Sequence, residues 1–194
     1  MTTATSHTPT NWTTPPRLAT LLAEAAGIRD LHPGARVLEP SAGDGALVDA
    51  ALAMRPGIDV LAIEPDHHRA AALRARDRTV APCRLQTYAA HFMPAAQLAG
   101  GIFHAALMHA PLVDVADPDD PHPWLTHLHL TLPFLRRGAR LAALVPLDRA
   151  GIYSLRGRDA HELLTRPHVT YTPVAPTDLP PGITDPHTLL TITR

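Results

Sequence analysis

The sequence predicts an α/β fold: a doubly wound, seven-stranded, mostly parallel sheet with an antiparallel last strand. Three observations lead there. From residue 14 onward, short apolar runs alternate with segments of helical period. Gly- and Pro-marked turns separate them. The last two β-rich segments flank a Pro/Gly-rich loop, as the arms of a long hairpin do. Repeated βαβ units place parallel strands at the centre and helices on both faces. A chain of 194 residues suits one domain, read as residues 14–194 behind a polar, Thr-rich arm at 1–13.

Thr14-Pro15-Pro16 opens a helix with Leu18, Leu21, Leu22 and Ala25 on one face and Gly27 at its stop. Ala35–Pro40 is a strand ending in a Ser-Ala-Gly-Asp-Gly turn, and Ala46–Met54 is the helix that follows. Asp59–Glu64 is the second strand, and Asp66 caps a helix running to Asp77. Arg84–Tyr88 is expected as a third strand and Pro94–Leu98 as a short helix. Ile102–Met108 is a fourth, buried strand, and residues 113–123 form a Pro/Asp loop. Trp124–Arg137 has helical period with a kink at Pro133 and a stop at Gly138. Arg140–Val145 is the fifth strand and Arg158–Thr165 a helix. His168–Val174 and His187–Thr193 alternate as half-buried strands do.

The charge balance of 17 basic and 18 acidic residues argues against a whole-surface grip on nucleic acid. All of the basic residues are Arg. No apolar run reaches the roughly 18–20 residues of a membrane span. The polar N-terminus lacks a hydrophobic signal core. A single cysteine, Cys83, makes neither an intrachain disulfide nor a Cys-based zinc site. The expected location is the cytoplasm, with no membrane partner.

The chemistry concentrates at Val37-Leu38-Glu39-Pro40-Ser41-Ala42-Gly43-Asp44-Gly45. Ligands of such sheets bind beyond the carboxyl ends of the strands, where the strand order switches. Gly43 and Gly45 allow a sharp turn and close backbone approach. Glu64, at the end of the second strand, is placed to accept hydrogen bonds from both hydroxyls of a ribose. The nicotinamide fingerprint G-x-G-x-x-G is incomplete, because Val48 holds its third position, and there is no Gly-Lys-Ser/Thr phosphate loop. The plainer alternative is a tight turn and helix cap with no ligand.

This string resembles the first motif of class I S-adenosylmethionine (SAM)-dependent methyltransferases, and most of all the adenine-N6 group acting on nucleic acids. The Thr14-Pro15-Pro16 helix resembles that group's N-terminal motif, Ile63-Glu64-Pro65-Asp66 its acidic second motif, and Phe134–Leu141 the approach to its fifth strand. The C-terminal hairpin resembles the reversed seventh strand of the fold. The resemblance implies that Glu39, Ser41, Gly43 and Gly45 cradle the methionine end of SAM, that Glu64 holds the ribose, and that Pro65 or Asp66 flanks the adenine. His91-Phe92 stands where the group commonly has Asp-Phe, so His91 would meet the adenine amine only as a neutral acceptor. Phe92 would supply an apolar wall.

The group's Asn-Pro-Pro-Tyr/Phe catalytic motif follows the fourth strand. Its Asn and the next carbonyl align the target amine for in-line transfer, and its aromatic ring stacks on a flipped base. Here the place reads His109-Ala110-Pro111-Leu112. His109 is a general-base candidate, the Ala110 carbonyl a hydrogen-bond acceptor, and Pro111 the retained position. Leu112 offers no flat ring. The expected function is methyl transfer from SAM to an amine or other nucleophile, a nucleic acid by resemblance. The acceptor stays open among nucleic acid, protein and small molecule. The alternative is a catalytically degenerate SAM-binding fold serving as a partner or regulator, and a protein partner or homo-oligomer fits either.

Asp114, Asp117, Asp119 and Asp120 crowd the loop beyond the site, where they would repel phosphates. They read as a solvated loop rather than a metal site. His91, His104 and His109, and the pair His127-x-His129, are expected to bind no metal, since i, i+2 positions on a helix do not face each other. Trp124 is expected in the core, and Trp12 lines the cavity or packs. Arg69–Arg78 reads as the solvated face of a helix.

Overall fold

The computed structural model describes residues 13–109, 111, 120, 122–146, 168–181, 183 and 185–194. α1 (Pro16–Ala25) starts on Pro16, whose missing N–H is no loss in a first helical turn, and buries Leu18, Ala19, Leu22 and Ala23. Gly27, at φ +72°, turns the chain toward β1 (Arg36–Glu39). α2 (Ala46–Met54), β2 (Asp59–Ile63) and α3 (His67–Arg74) follow as expected. The Asp66 carboxylate caps α3 by accepting the Arg69 amide at 2.9 Å, a bond that also holds its pKa below the usual carboxylate range.

Several expectations are overturned. The third strand is β3 (Thr79–Ala81), and Arg84–Tyr88 lies instead at the start of a helix, α4 (Leu85–Leu98). Leu85, Tyr88, Ala89 and Ala96 recur at helical spacing and bury one face of α4. Pro94 does not found a separate short helix but sits inside α4, on its exposed side. There water can take the carbonyl that Pro94 leaves without a donor. The helix expected over Trp124–Arg137 ends early, because α5 (Pro123–Thr131) passes into a 3-10 turn at Leu132–Phe134. From Leu135 the chain is already β5 (Leu135–Val145). Gly138 therefore stops no helix. Pairing jumps from Phe103↔Leu135 to Ala105↔Arg140, so residues 136–139 form an irregularity in which Gly138 takes φ +81°. The helix expected at Arg158–Thr165 lies outside the described residues.

β4 (Phe103–His109), β6 (Val169–Pro173) and β7 (Thr188–Thr193) complete one sheet in the order β3-β2-β1-β4-β5-β7-β6. β7 runs antiparallel to both β5 and β6, while the other pairings are parallel. Side chains alternate across the sheet. One layer gathers Leu38, Ile63, Tyr88, Phe103, Met108, Trp124, Leu128 and Phe134. The other gathers Leu18, Leu22, Val37, Leu47, Val48, Leu73 and Leu107. Trp124 is a core residue, 2% exposed. Among the described residues no helix is long and apolar enough to cross a membrane.

The strand order decides where the site lies. From β1 the chain winds outward to β2 and β3, then returns to lay β4 on the opposite side of β1. That reversal opens a crevice above the carboxyl ends of β1 and β4, where Glu39 and His109 end their strands.

Candidate functional site

Glu39 is buried, 1% exposed, and its Oε1 accepts the Ser41 amide at 2.9 Å and the Ser41 hydroxyl at 3.4 Å. Burial outweighs these bonds and, with Glu64 adding repulsion, pushes the Glu39 carboxyl up to about 8. Ser41 Oγ also lies 3.3 Å from the His109 carbonyl, tying the β1 turn to the end of β4.

Glu64 follows β2 and is 4% exposed. Its Oε2 accepts the Gly43 amide at 2.7 Å and its Oε1 the Asp66 amide at 2.8 Å. The carboxylate therefore fastens the Gly-rich turn to the end of β2. Ala42 N–H donates to the Ile63 carbonyl at 2.9 Å, a second tie between the same two segments. Gly43 and Gly45 both have positive φ, +53° and +88°. At Gly43 a Cβ would meet nothing within 4 Å, whereas at Gly45 it would lie 2.4 Å from Leu73 Cδ2. Gly45 is thus required by the packing of α3, while Gly43 leaves bare backbone facing open space.

His109 Nδ1 pairs with Thr14 Oγ1 at 2.9 Å, and Thr13 Oγ1 donates to Asp44 Oδ2 at 2.7 Å. Consecutive threonines before α1 thus reach both walls of the crevice. Burial, and secondarily the nearby His187, lower the His109 pKa to about 4, so the ring is neutral at neutral pH. With Nδ1 engaged, Nε2 is the ring nitrogen left for other partners. Thr13, Thr14, Glu39, Ser41, Gly43, Asp44 and His109, with Ala42, Ala46 and Leu47, bound a cavity of about 30 Å³. Its walls carry two carboxyls and no arginine.

The structure thus brings Glu39, Ser41, Gly43, Glu64 and His109 together. Pro65 follows Glu64 and is exposed; Pro111 is half-buried, and Ala110 lies outside the described residues. His91 and Phe92 stand on the second turn of α4, both exposed. His91 Nδ1 bonds the Thr87 carbonyl at 2.8 Å, and Phe92 packs on Tyr88 with ring centres 4.7 Å apart. Neither borders the cavity. Asp120 is not simply solvated, since it accepts the His122 amide at 2.8 Å and the Thr126 hydroxyl at 2.7 Å at the start of α5. Asp114, Asp117 and Asp119, Leu112 and Trp12 lie outside the described residues. His104 and His109 sit at opposite ends of β4, and His127 bonds the Pro123 carbonyl within its own helix at 2.9 Å. Sequence reasoning missed Thr13, Asp44 and His187. His187 carries no local signal; only the placement of β7 beside β5 brings it near His109.

No family model and no curated protein matches the chain. Solved structures do. A putative class I SAM-dependent methyltransferase from Listeria monocytogenes superposes with a TM-score of 0.68 at 12% identity, covering 96% of this chain and 62% of that one. The fold is that of the class I methyltransferases. The methyltransferase subunit of a Streptococcus thermophilus type I restriction–modification system gives 0.63 at 15% identity, covering 95% of this chain and 45% of that one. The plantazolicin methyltransferase, solved with S-adenosylhomocysteine, gives 0.55 at 13% identity, covering 91% and 82%. β7, antiparallel between β5 and β6, stands as the reversed last strand that the sequence resemblance implies.

Proposed function

We propose that the chain binds SAM at the Gly43–Gly45 turn and transfers its methyl group to a nucleophile presented beside His109. The observation that carries this reading is the carboxyl-lined cavity under a turn whose Gly43 backbone is bare. SAM carries positive charge on its sulfonium and ammonium groups. Asp44 lends the cavity wall a negative charge, partly offset by Arg69 at 3.8 Å, and the buried Glu39 carboxyl, its pKa raised to about 8, would ionise on meeting a cation. The cavity takes an end group of the ligand; its nucleoside would lie along the sheet edge toward Glu64, Pro65 and Asp66. Several structural neighbours are described as methyltransferases, and one holds S-adenosylhomocysteine, which supports the same reading.

Bound SAM supplies an electrophilic methyl group. Within this chain, Glu39, Ser41 and Gly43 would hold the amino-acid end, and Glu64, whose oxygens already accept the Gly43 and Asp66 amides, would meet the ribose through its remaining lone pairs. His109 Nε2, on a ring kept neutral by burial, accepts a hydrogen bond from the acceptor. An amine of a nucleic acid is one acceptor consistent with the resemblance, and a small molecule or a protein side chain is another. The second reading, a SAM-binding partner protein without transfer, is favoured by one feature: the buried His109 ring, its pKa lowered to about 4, is a weak base at neutral pH.

Titration calorimetry with SAM and S-adenosylhomocysteine tests the first step, and heat with neither in folded protein would sink it. Labelled-methyl transfer to candidate acceptors tests the second. His109→Ala should abolish transfer while leaving S-adenosylhomocysteine affinity within about threefold, an effect confined to the reacting end.

A further inference from the structure

We infer that Arg76 is a positioning residue for the cofactor turn, holding the Ala42–Gly45 backbone in its ligand-ready shape from outside the cavity. The inference rests on the SAM reading above. Arg76 lies just past α3, in the Arg-rich stretch that by sequence alone looks like a solvated helix face. Its guanidinium does two jobs. Nη2 donates to the Asp44 carbonyl at 2.5 Å, and Nη1 meets Asp49 Oδ2 at 2.7 Å. Arg78 takes the other Asp49 oxygen, with Nε and Nη2 each at 2.9 Å, so that carboxylate is fully engaged and fixed in place. Asp49 belongs to the first turns of α2, whose amide donates to the Gly45 carbonyl at 2.9 Å. Arg76 thereby spans the turn and the helix the turn leads into.

Gly45 makes this possible. A Cβ there would stand 3.0 Å from Arg76 Nη2, in the space through which the guanidinium reaches. Arg76 does not border the small cavity beside His109; it lines an open pocket of about 560 Å³ on the other side of Asp44, with His68, Arg69 and Ala72. Its partners divide the work around one residue: Thr13 holds the Asp44 carboxylate on the inner side, and Arg76 holds the Asp44 carbonyl on the outer. With both in place, the Asp44–Gly45 peptide cannot rotate freely. Rotation of that peptide would re-aim the neighbouring Gly43 unit, whose amide is bonded to Glu64. A planar fork with two parallel donors suits two acceptors at once; an ammonium can reach one of them.

The test is calorimetric affinity for S-adenosylhomocysteine, measured with thermal midpoint for wild type, Arg76→Ala, Arg76→Lys and Asp49→Asn. Arg76→Ala should weaken binding by about tenfold, within the range of couplings between distinct sites. Arg76→Lys should recover part of it, and Asp49→Asn should weaken binding through the loss of Arg76's anchor. Equal affinity in wild type and Arg76→Ala overturns the inference while leaving the SAM reading intact, even if the midpoint falls. No binding by folded wild type overturns the SAM reading itself. Should Arg76→Ala fail to fold, Asp49→Asn decides alone: weaker binding supports the inference and unchanged binding overturns it.

Discussion

Glu64 accepts the Gly43 amide at 2.7 Å through one carboxylate oxygen and the Asp66 amide at 2.8 Å through the other. One buried acid thus joins the turn after β1 to the loop after β2. Replacing it by glutamine keeps the shape but turns one acceptor into a donor, which then faces a backbone N–H. Glu64→Gln should cost about 1–3 kcal/mol, the range for a buried donor left unsatisfied. Urea unfolding of the two proteins measures it.

The two glycines of the turn should respond differently to alanine. Gly45→Ala combines a strained positive φ with a Cβ 2.4 Å from Leu73 Cδ2, so it should lose about 2–4 kcal/mol of stability. Gly43→Ala meets nothing within 4 Å and should lose only about 1–2 kcal/mol from strain. Its methyl group would instead fill the open space beside the turn. Calorimetry should therefore find Gly43→Ala stably folded but weakened at least tenfold toward S-adenosylhomocysteine.

Glu39 and His109 give stability a characteristic dependence on pH. The Glu39 carboxyl is raised from 4.5 to about 8, so its contribution is complete below 4.5 and is lost as pH rises toward 8. The His109 imidazole is lowered from 6.5 to about 4, so its contribution is complete above 6.5 and is lost as pH falls toward 4. Each slope is about 1.4 kcal/mol per pH unit, with opposite sign. Between pH 4.5 and 6.5 the two oppose each other and stability should be nearly flat; from 6.5 to 8 it should decline. Glu39→Gln should remove that alkaline decline. A Glu39→Gln protein that still lost stability between pH 6.5 and 8 would contradict the assignment.

Thr14 fixes the His109 ring. Thr14→Val removes the partner of a buried nitrogen and should cost about 1–3 kcal/mol. Thr14→Ser keeps the hydroxyl and should cost less. Nitrogen-15 shifts of the imidazole report the change directly: Thr14→Val should move the Nδ1 resonance of His109, and Thr14→Ser should leave it near its wild-type position.

How much of this was legible in the sequence differs by element. β1, α2, β2 and β4 were readable because apolar runs and Gly-rich turns there are local signals. Arg84–Tyr88 was misread because Leu, Thr and Tyr suit a strand equally well. Only the packing of Leu85, Tyr88, Ala89 and Ala96 onto one face of the sheet favours the helix. The end of α5 was misread because Leu135 and Ala139 fit the helical period until the pairing of Phe103 with Leu135 draws the segment into the sheet.

By itself the sequence determined the doubly wound class and the Ser41–Gly45 turn. Those features rest on the short-range geometry of glycine and on hydrophobic period. The tertiary structure alone decided that Thr13 and Thr14 meet Asp44 and His109, that His187 lies near His109, and that Arg76 grips the turn from behind. Each of these contacts joins segments far apart in the chain, and the strand order that juxtaposes them depends on how the whole sheet buries its two faces.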